Sequence, residues 1–415
     1  MKNQRGAGSR RLFGLLAAML SSTGAVAKPM TFAEALAKAR EAPSIASRAA
    51  QADAARLTAI ASDQLPDPKL EVGIQDYPIT GPNAGSFTRD DFTTEKIGVS
   101  QEIPNPAKRR ARLGRAVADI GAAQAAVTVE ERDVKVQTAL AWIDLDFAER
   151  RLATLKILDD SIDAISSTVS ARLASGSARP AQALEPQQLK AEVGDRRSDL
   201  LAEAGRARAA LSRWTGDQDP EVTGPPPDWA ISPALLRANV DALPSVVATN
   251  AAIRQAEASI RLAQAEKRPD WEVSASYGHR DPKFGDLLSI GVKIDLPFFA
   301  KRRQNPIIAA RAREADRARL DREAAKRENV ASLDSELADH AMHHERYIRA
   351  RNVLVPLAKK RAELDRVGYG ANTVDLGTAL ESTYDLARTE LDELDREATV
   401  ARDGVRINLT YGRDR

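Results

Sequence analysis

Four short segments of the chain alternate apolar and polar residues with a period of two, the mark of a strand whose faces meet different surroundings. The first sets Leu70, Val72 and Ile74 against Glu71, Gly73 and Gln75; the second sets Ile97, Val99 and Ile103 against Lys96, Gly98, Ser100 and Glu102. The third sets Trp271, Val273, Ala275 and Tyr277 against Glu272, Ser274 and Ser276. The fourth sets Leu288, Ile290, Val292, Ile294 and Leu296 against Ser289, Gly291, Lys293 and Asp295. These predict strands over about 69–77, 93–103, 270–278 and 287–296. Elsewhere the pattern is helical. A helix is expected before each strand pair, over about 31–63 and 233–267. A very long one follows each pair, over about 107–174 and 304–366, and return helices close the halves over about 178–213 and 374–408. Residues 107–174 contain no proline, and at 1.5 Å per residue such a helix is about 100 Å long. Asn105 and Pro106 suit its cap and first turn. Pro356 predicts a kink or bulge in the second rod.

The halves repeat each other. Ile97-Gly98-Val99, Pro104 and Ala107-Lys108-Arg109-Arg110 recur at one offset as Ile290-Gly291-Val292, Pro297 and Ala300-Lys301-Arg302-Arg303. Pro43-Ser44-Ile45 recurs as Pro244-Ser245-Val246, and Arg172 and Gly176 recur as Arg366 and Gly370. An ordered set of this kind marks a duplication. Gly216, Pro220 and Gly224-Pro225-Pro226-Pro227 break helices between the copies. The expected division is repeat 1 over 28–214, a linker over 215–232 and repeat 2 over 233–415.

Composition adds little chemistry. The 61 basic and 59 acidic residues nearly cancel, which gives no reason to expect a nucleic-acid partner. There is no cysteine, so disulfides and thiolate metal sites are excluded. The first 27 residues read as a secretory signal: Lys2, Arg5, Arg10 and Arg11 precede an apolar run from Leu12 to Leu20, and Ala25-Val26-Ala27 precedes Lys28. That run is too short for a membrane span, which takes roughly 20 residues.

Strands of about ten residues, apolar on one side and polar on the other, match those of an outer-membrane barrel with a wet lumen. An ordinary sheet with one buried face alternates in the same way; the secretory signal and flanking helices favour the barrel. Four strands cannot close one, and a sheet in lipid cannot keep open edges. Two chains would supply eight strands and an interior filled by side chains. Three would supply 12, enough for a channel.

At this point the chain resembles the TolC-type outer-membrane efflux proteins. Within them, Gln64-Leu65-Pro66-Asp67-Pro68-Lys69-Leu70, Pro78-Ile79-Thr80-Gly81-Pro82-Asn83-Ala84, Thr88-Arg89-Asp90 and Ile97-Gly98-Val99-Ser100-Gln101-Glu102-Ile103-Pro104 are similar to the first hairpin of the heavy-metal subgroup, the cobalt–zinc–cadmium and copper–silver resistance ducts. The resemblance implies a mainly α fold with a membrane β-barrel: a duplicated helix–hairpin–long helix–helix unit, three copies of which form a 12-stranded barrel and a periplasmic coiled-coil barrel. It implies a homotrimer in outer-membrane lipid, a periplasmic adaptor and a proton-driven inner-membrane pump as partners, and no cofactor or catalysis. It places Arg172, Gly176, Arg366, Gly370 and Thr373 at periplasmic tips that meet the adaptor, with Asp375 and Glu381 as candidates for a gate. The first tip departs from the pattern at Arg179 and Gln182. Helix-end residues of these types also serve as plain turns and caps.

His340, His343 and His344 share a helix face and are the weak candidates for metal ligands; a solvated face accounts for them better. The basic clusters Lys108-Arg109-Arg110-Arg112 and Lys301-Arg302-Arg303 sit where lipid headgroups are expected. No nucleophile elbow, phosphate loop or dinucleotide fingerprint is present in the sequence. The competing readings are a multidrug or secretion duct of the same fold, a periplasmic coiled-coil interaction protein, and an enzyme supported by the histidines alone.

Overall fold

A computed structural model describes residues 29–174, 179–227 and 230–413. The expected signal segment therefore lies outside the described residues. The first repeat runs α1 (Phe32–Ala39), α2 (Pro43–Ser62), β1 (Lys69–Gln75), β2 (Thr94–Ile103), α3 (Pro106–Ala174) and α4 (Glu185–Thr215). The second runs α5 (Pro233–Ala238), α6 (Pro244–Ala265), β3 (Trp271–His279), β4 (Leu287–Ile294), α7 (Gln304–Arg349), α8 (Val355–Gly370) and α9 (Leu376–Tyr411).

Several boundaries differ from the sequence expectation, each for a local reason. The leading helix expected over 31–63 is two helices. Pro43 has no N–H and disfavours α geometry in the residue before it, so Ala42 is extended at ψ 135°. α1 starts with its own capping box between Thr31 and Glu34. The same break recurs in the second half, where Leu243 is extended before Pro244. The first return segment opens with a 3₁₀ turn, Pro180–Ala183, before α4; Gly216 in the left-handed region (φ 76°) ends that helix. β1 stops at Gln75 because Asp76 turns the chain with φ 56°. The second rod continues past 366 to Gly370, interrupted by a π-turn at Ala350–Leu354 just ahead of Pro356. A proline clashes with the carbonyl four residues back, and a widened turn relieves that clash. α3 has no proline beyond its first residue and runs unbroken for 69 residues.

The helices form an open wall. In the half nearer the strands, α3 packs on α2 and α6, and α6 packs on α7; in the other half, α3 packs on α4 and α9, and α9 packs on α8. The largest core lies midway along α3, where Trp142, Ile143, Leu145 and Phe147 are buried against Met30, Leu211, Ala398 and Val405. The Trp142 indole donates to the Met30 carbonyl (3.1 Å), and Phe32 meets its ring edge-on. The expected linker is partly docked: Val222 bridges Met30 in parallel, and Met30 N–H donates to the Glu221 carbonyl at 2.8 Å. Leu57, Ile60, Leu320 and Leu357 remain exposed on the wall's helices. Among the described residues, no helix is long and apolar enough to cross a membrane.

Candidate functional site

The four strands form one antiparallel sheet in the order β1-β2-β3-β4. The two repeats therefore join through β2 and β3, and β1 and β4 are left as open edges. Register decides which side chains share a face. Val72 faces Ile97, Val99 faces Ala275, and Ala275 faces Ile290; Leu70 faces Val99, Tyr277 faces Leu288, and Trp271 faces Ile294. Every apolar position singled out by the alternation, apart from Leu296 beyond the end of β4, thus falls on one side. That side is bare, with Val72 71% and Ile290 75% exposed. An apolar face of this extent needs lipid or another protein to cover it.

The opposite face carries Lys69, Glu71, Lys96, Ser100, Glu102, Glu272, Ser274, Ser276 and Lys293, with glycine at 73, 98, 278 and 291. Three of the glycines answer to crowding, and a Cβ on Gly278 would run into Thr94 Cγ2. A Cβ on Gly98 would lie 2.9 Å from Ser276 Cβ, and one on Gly291 would lie 2.9 Å from Ser274 Oγ. Crowding on the polar side is what inward curvature produces, so the polar face is the concave one.

Where sheet meets rod, Asn105 accepts from Lys108 N–H at 2.8 Å and caps α3 as its sequence position predicts. Its own N–H and amide donate to Asp270 Oδ1 at 2.8 and 3.0 Å, and Lys108 Nζ reaches Asp270 Oδ2 at 2.6 Å. Arg109 donates to the Asp63 carbonyl. The first basic cluster therefore ties the repeats together, which the headgroup reading did not foresee. Only the pairing across repeats, invisible in local sequence, brings Asp270 to it. At the equivalent junction Leu296, Phe298, Phe299, Lys301, Arg302 and Arg303 are exposed.

The far end of the rods holds the expected tip residues. Gly176 lies outside the described residues, and Arg172 stands in the last turn of α3. Arg366 pairs with Glu363 at 2.9 Å. Thr373 donates to the Gly368 carbonyl at 3.1 Å. Asp375 caps α9, accepting from Thr378 N–H at 3.0 Å and from the Thr378 hydroxyl at 2.8 Å, and these bonds hold its carboxyl below the usual range. Glu381 is exposed on α9. The turn does not use Gly370 for a left-handed residue; Asn372 takes that conformation with φ 61°. Gly368 is the glycine the turn needs, because a Cβ there would stand 2.5 Å from Val374 Cγ2. Leu376 and Leu380 pack on Val169, which joins the two tips.

His343 Nδ1 lies 2.7 Å from Asp403, itself only 4% exposed and also bonded to Arg406. Burial lowers the pKa of His340, whose Nδ1 has no hydrogen-bond partner. His340 and His344 stand with ring centroids 6.1 Å apart. Among the described residues, no group of three or more histidine, aspartate or glutamate side chains is arranged to hold a metal ion.

No family model matches the sequence. The cobalt-zinc-cadmium resistance protein CzcC of Cupriavidus metallidurans is 23% identical over 259 residues, which is 61% of this chain and 59% of that protein. The chain thus aligns with about three fifths of the length of that curated relative. Among solved structures, a membrane protein from Pseudomonas aeruginosa superposes with a TM-score of 0.79 at 16% identity, covering 92% of this chain and 90% of that one. CusC gives 0.78 at 13% identity over 92% of both chains. The CmeC outer membrane channel of Campylobacter jejuni gives 0.75 at 13% identity, over 92% and 85%. The chain has the fold of these proteins, mainly helical with one four-stranded sheet.

Proposed function

We propose that this chain is the outer-membrane channel of a tripartite efflux system and passes heavy-metal cations to the outside. The observation that carries the reading is a sheet with an exposed apolar face, a concave polar face and two open edges, set at one end of helices about 100 Å long. Backbone edges in lipid must be paired, so several copies must complete the barrel. Three copies supply 12 strands, and the apolar face meets outer-membrane lipid. The helical walls continue the duct through the periplasm, and the exposed leucines at their flanks become contacts between copies. The chain performs no chemistry. It lowers the barrier to export by offering a continuous aqueous path.

The domain scheme belongs to this reading: a signal peptide over 1–27, repeats over 28–214 and 233–415, and a linker over 215–232. Arg172, Gly176, Arg366, Gly370 and Thr373 meet a periplasmic adaptor, which joins the duct to a proton-driven inner-membrane pump. Asp375 and Glu381 ring the mouth. Three lysines (Lys69, Lys96, Lys293) and three glutamates (Glu71, Glu102, Glu272) line the polar face of each sheet. That balance gives the barrel no field of a single sign, so ion choice falls to the pump. Heavy-metal cations are assigned from the likeness to CzcC and from the first hairpin.

The test is membrane fractionation, detergent extraction and mass determination, followed by growth of a deletion strain on cobalt, zinc and cadmium salts. A trimer in the outer-membrane fraction and metal-sensitive growth are expected. A soluble monomer would sink the duct reading in favour of a periplasmic coiled-coil protein. A trimer whose loss sensitises cells to organic toxicants alone would move the cargo to drugs.

A further inference from the structure

On sequence alone the three histidines of α7 belong to a solvated face, but the fold treats them unequally. His343 is engaged. Its Nδ1 lies 2.7 Å from Asp403 on α9, and Arg406 holds that carboxylate in turn at 2.9 Å. His340 and His344 are left over. Among the described residues neither ring takes part in a hydrogen bond. His340 is half-buried, with Nδ1 shut away from solvent and unpartnered, while His344 is exposed, so an ion can reach the pair from water.

The two rings are also close enough to share a ligand. Positions i and i+4 lie one above the other on a helix, and the ring centroids are 6.1 Å apart with the planes inclined by 37°. A metal ion sits about 2.0–2.1 Å from an imidazole nitrogen, itself about 1.2 Å from the ring centre, so two rings on one ion have centroids up to about 6.5 Å apart. The backbone of α7 therefore already holds the pair within reach, and side-chain rotation suffices to aim one nitrogen of each ring at a common point.

We propose that His340 and His344 bind one first-row divalent transition-metal ion, copper(II) most tightly, with water in the remaining positions. Imidazole is a ligand for copper, nickel and zinc, and copper(II) leads that series in affinity. At neutral pH and above an imidazole is mostly uncharged, as a ligand must be. The Asp403 carboxylate is near enough to act on His340 and favours a cation there, an effect that Arg406 partly offsets. Two ligands rather than three agree with the absence, among the described residues, of any larger group arranged for metal. Neither ring has a carboxylate or carbonyl behind it to raise its basicity, so the ion exchanges with solvent and is not a fixed part of the fold. The site needs one turn of α7 and stands apart from the duct reading.

The test is titration of the detergent-extracted, full-length protein, free of any histidine tag, with copper(II) alone at pH 7.5, followed by calorimetry and electron paramagnetic resonance. One copper per chain is expected, with a spectrum showing nitrogen ligands. His344→Ala removes an exposed ring and leaves packing intact; it should lower the affinity about tenfold or more, and His340→Asn should do the same. His279→Ala, on the second hairpin where His279 faces Asp286, should change nothing. As a second readout, copper should raise the melting temperature of the unsubstituted protein and not that of His344→Ala. Failure of copper to bind, or binding that survives both His344→Ala and His340→Asn, overturns the site.

Discussion

Asp146 carries an avoidable cost. It lies half-buried on α3 with Oδ2 unbonded and Arg150 3.7 Å away. Burial, with some repulsion from Glu149 and Glu397, outweighs the pull of Arg150 and raises its pKa to about 6. A carboxyl that titrates higher in the folded than in the unfolded chain opposes folding once ionised. Its penalty is absent below about pH 4 and complete above about pH 6. Asp146→Asn should therefore stabilise the protein at pH 7.5 by on the order of 1–3 kcal/mol, an advantage that disappears by pH 4; melting curves at the two pH values check it. At the tip, Gly368→Ala must displace Val374 and should cost about 1–3 kcal/mol. Gly370→Ala meets nothing within 4 Å and should leave the melting temperature unchanged or slightly raised. If the tip contacts the adaptor as proposed, Gly370→Ala should still weaken adaptor pull-down. The repeat led the sequence reading to Gly370, but the close approach that needs a glycine at 368 comes from Val374 across the turn.

The alternating strands were legible from residue order alone, because period two is a local property and one face must be apolar. The lipid-facing role proposed for them can be tested by asymmetry. Ile290→Lys on the apolar face should lower oligomer stability in lipid by about 2–4 kcal/mol, whereas Ser289→Lys on the polar face should have little effect; heat-modifiable migration after reconstitution separates the two. The rods were legible for the same reason, since long proline-free runs with scattered small residues leave few alternatives. The breaks were harder. Apolar spacing continues through Pro43 and Pro244, so the pattern reads as one helix, while backbone geometry before each proline makes two. At Pro356 the sequence foretold a distortion, and the rod takes it up as a π-turn lying against α9 and continues.

At the scale of the molecule, one chain has a packed middle and unpaired margins. Its largest core lies midway along α3, where the segment around Met30, the docked linker and the ends of α4 and α9 converge. Either side of it the wall has open flanks, and the sheet has open edges. Removing that anchor should loosen the whole chain: Trp142→Ala empties a fully buried site and should cost about 3–5 kcal/mol, read as loss of the folded protein from the membrane fraction. Sequence by itself determined the duplication, the four strands with their two faces and the long rods, because periodicity and repetition act over short stretches. Tertiary structure decided the rest. Lys108 belongs to Asp270, 162 residues away; His343 belongs to Asp403; and the order β1-β2-β3-β4 leaves one particular pair of edges free. Each depends on which distant segments meet, and residue types alone do not encode that choice.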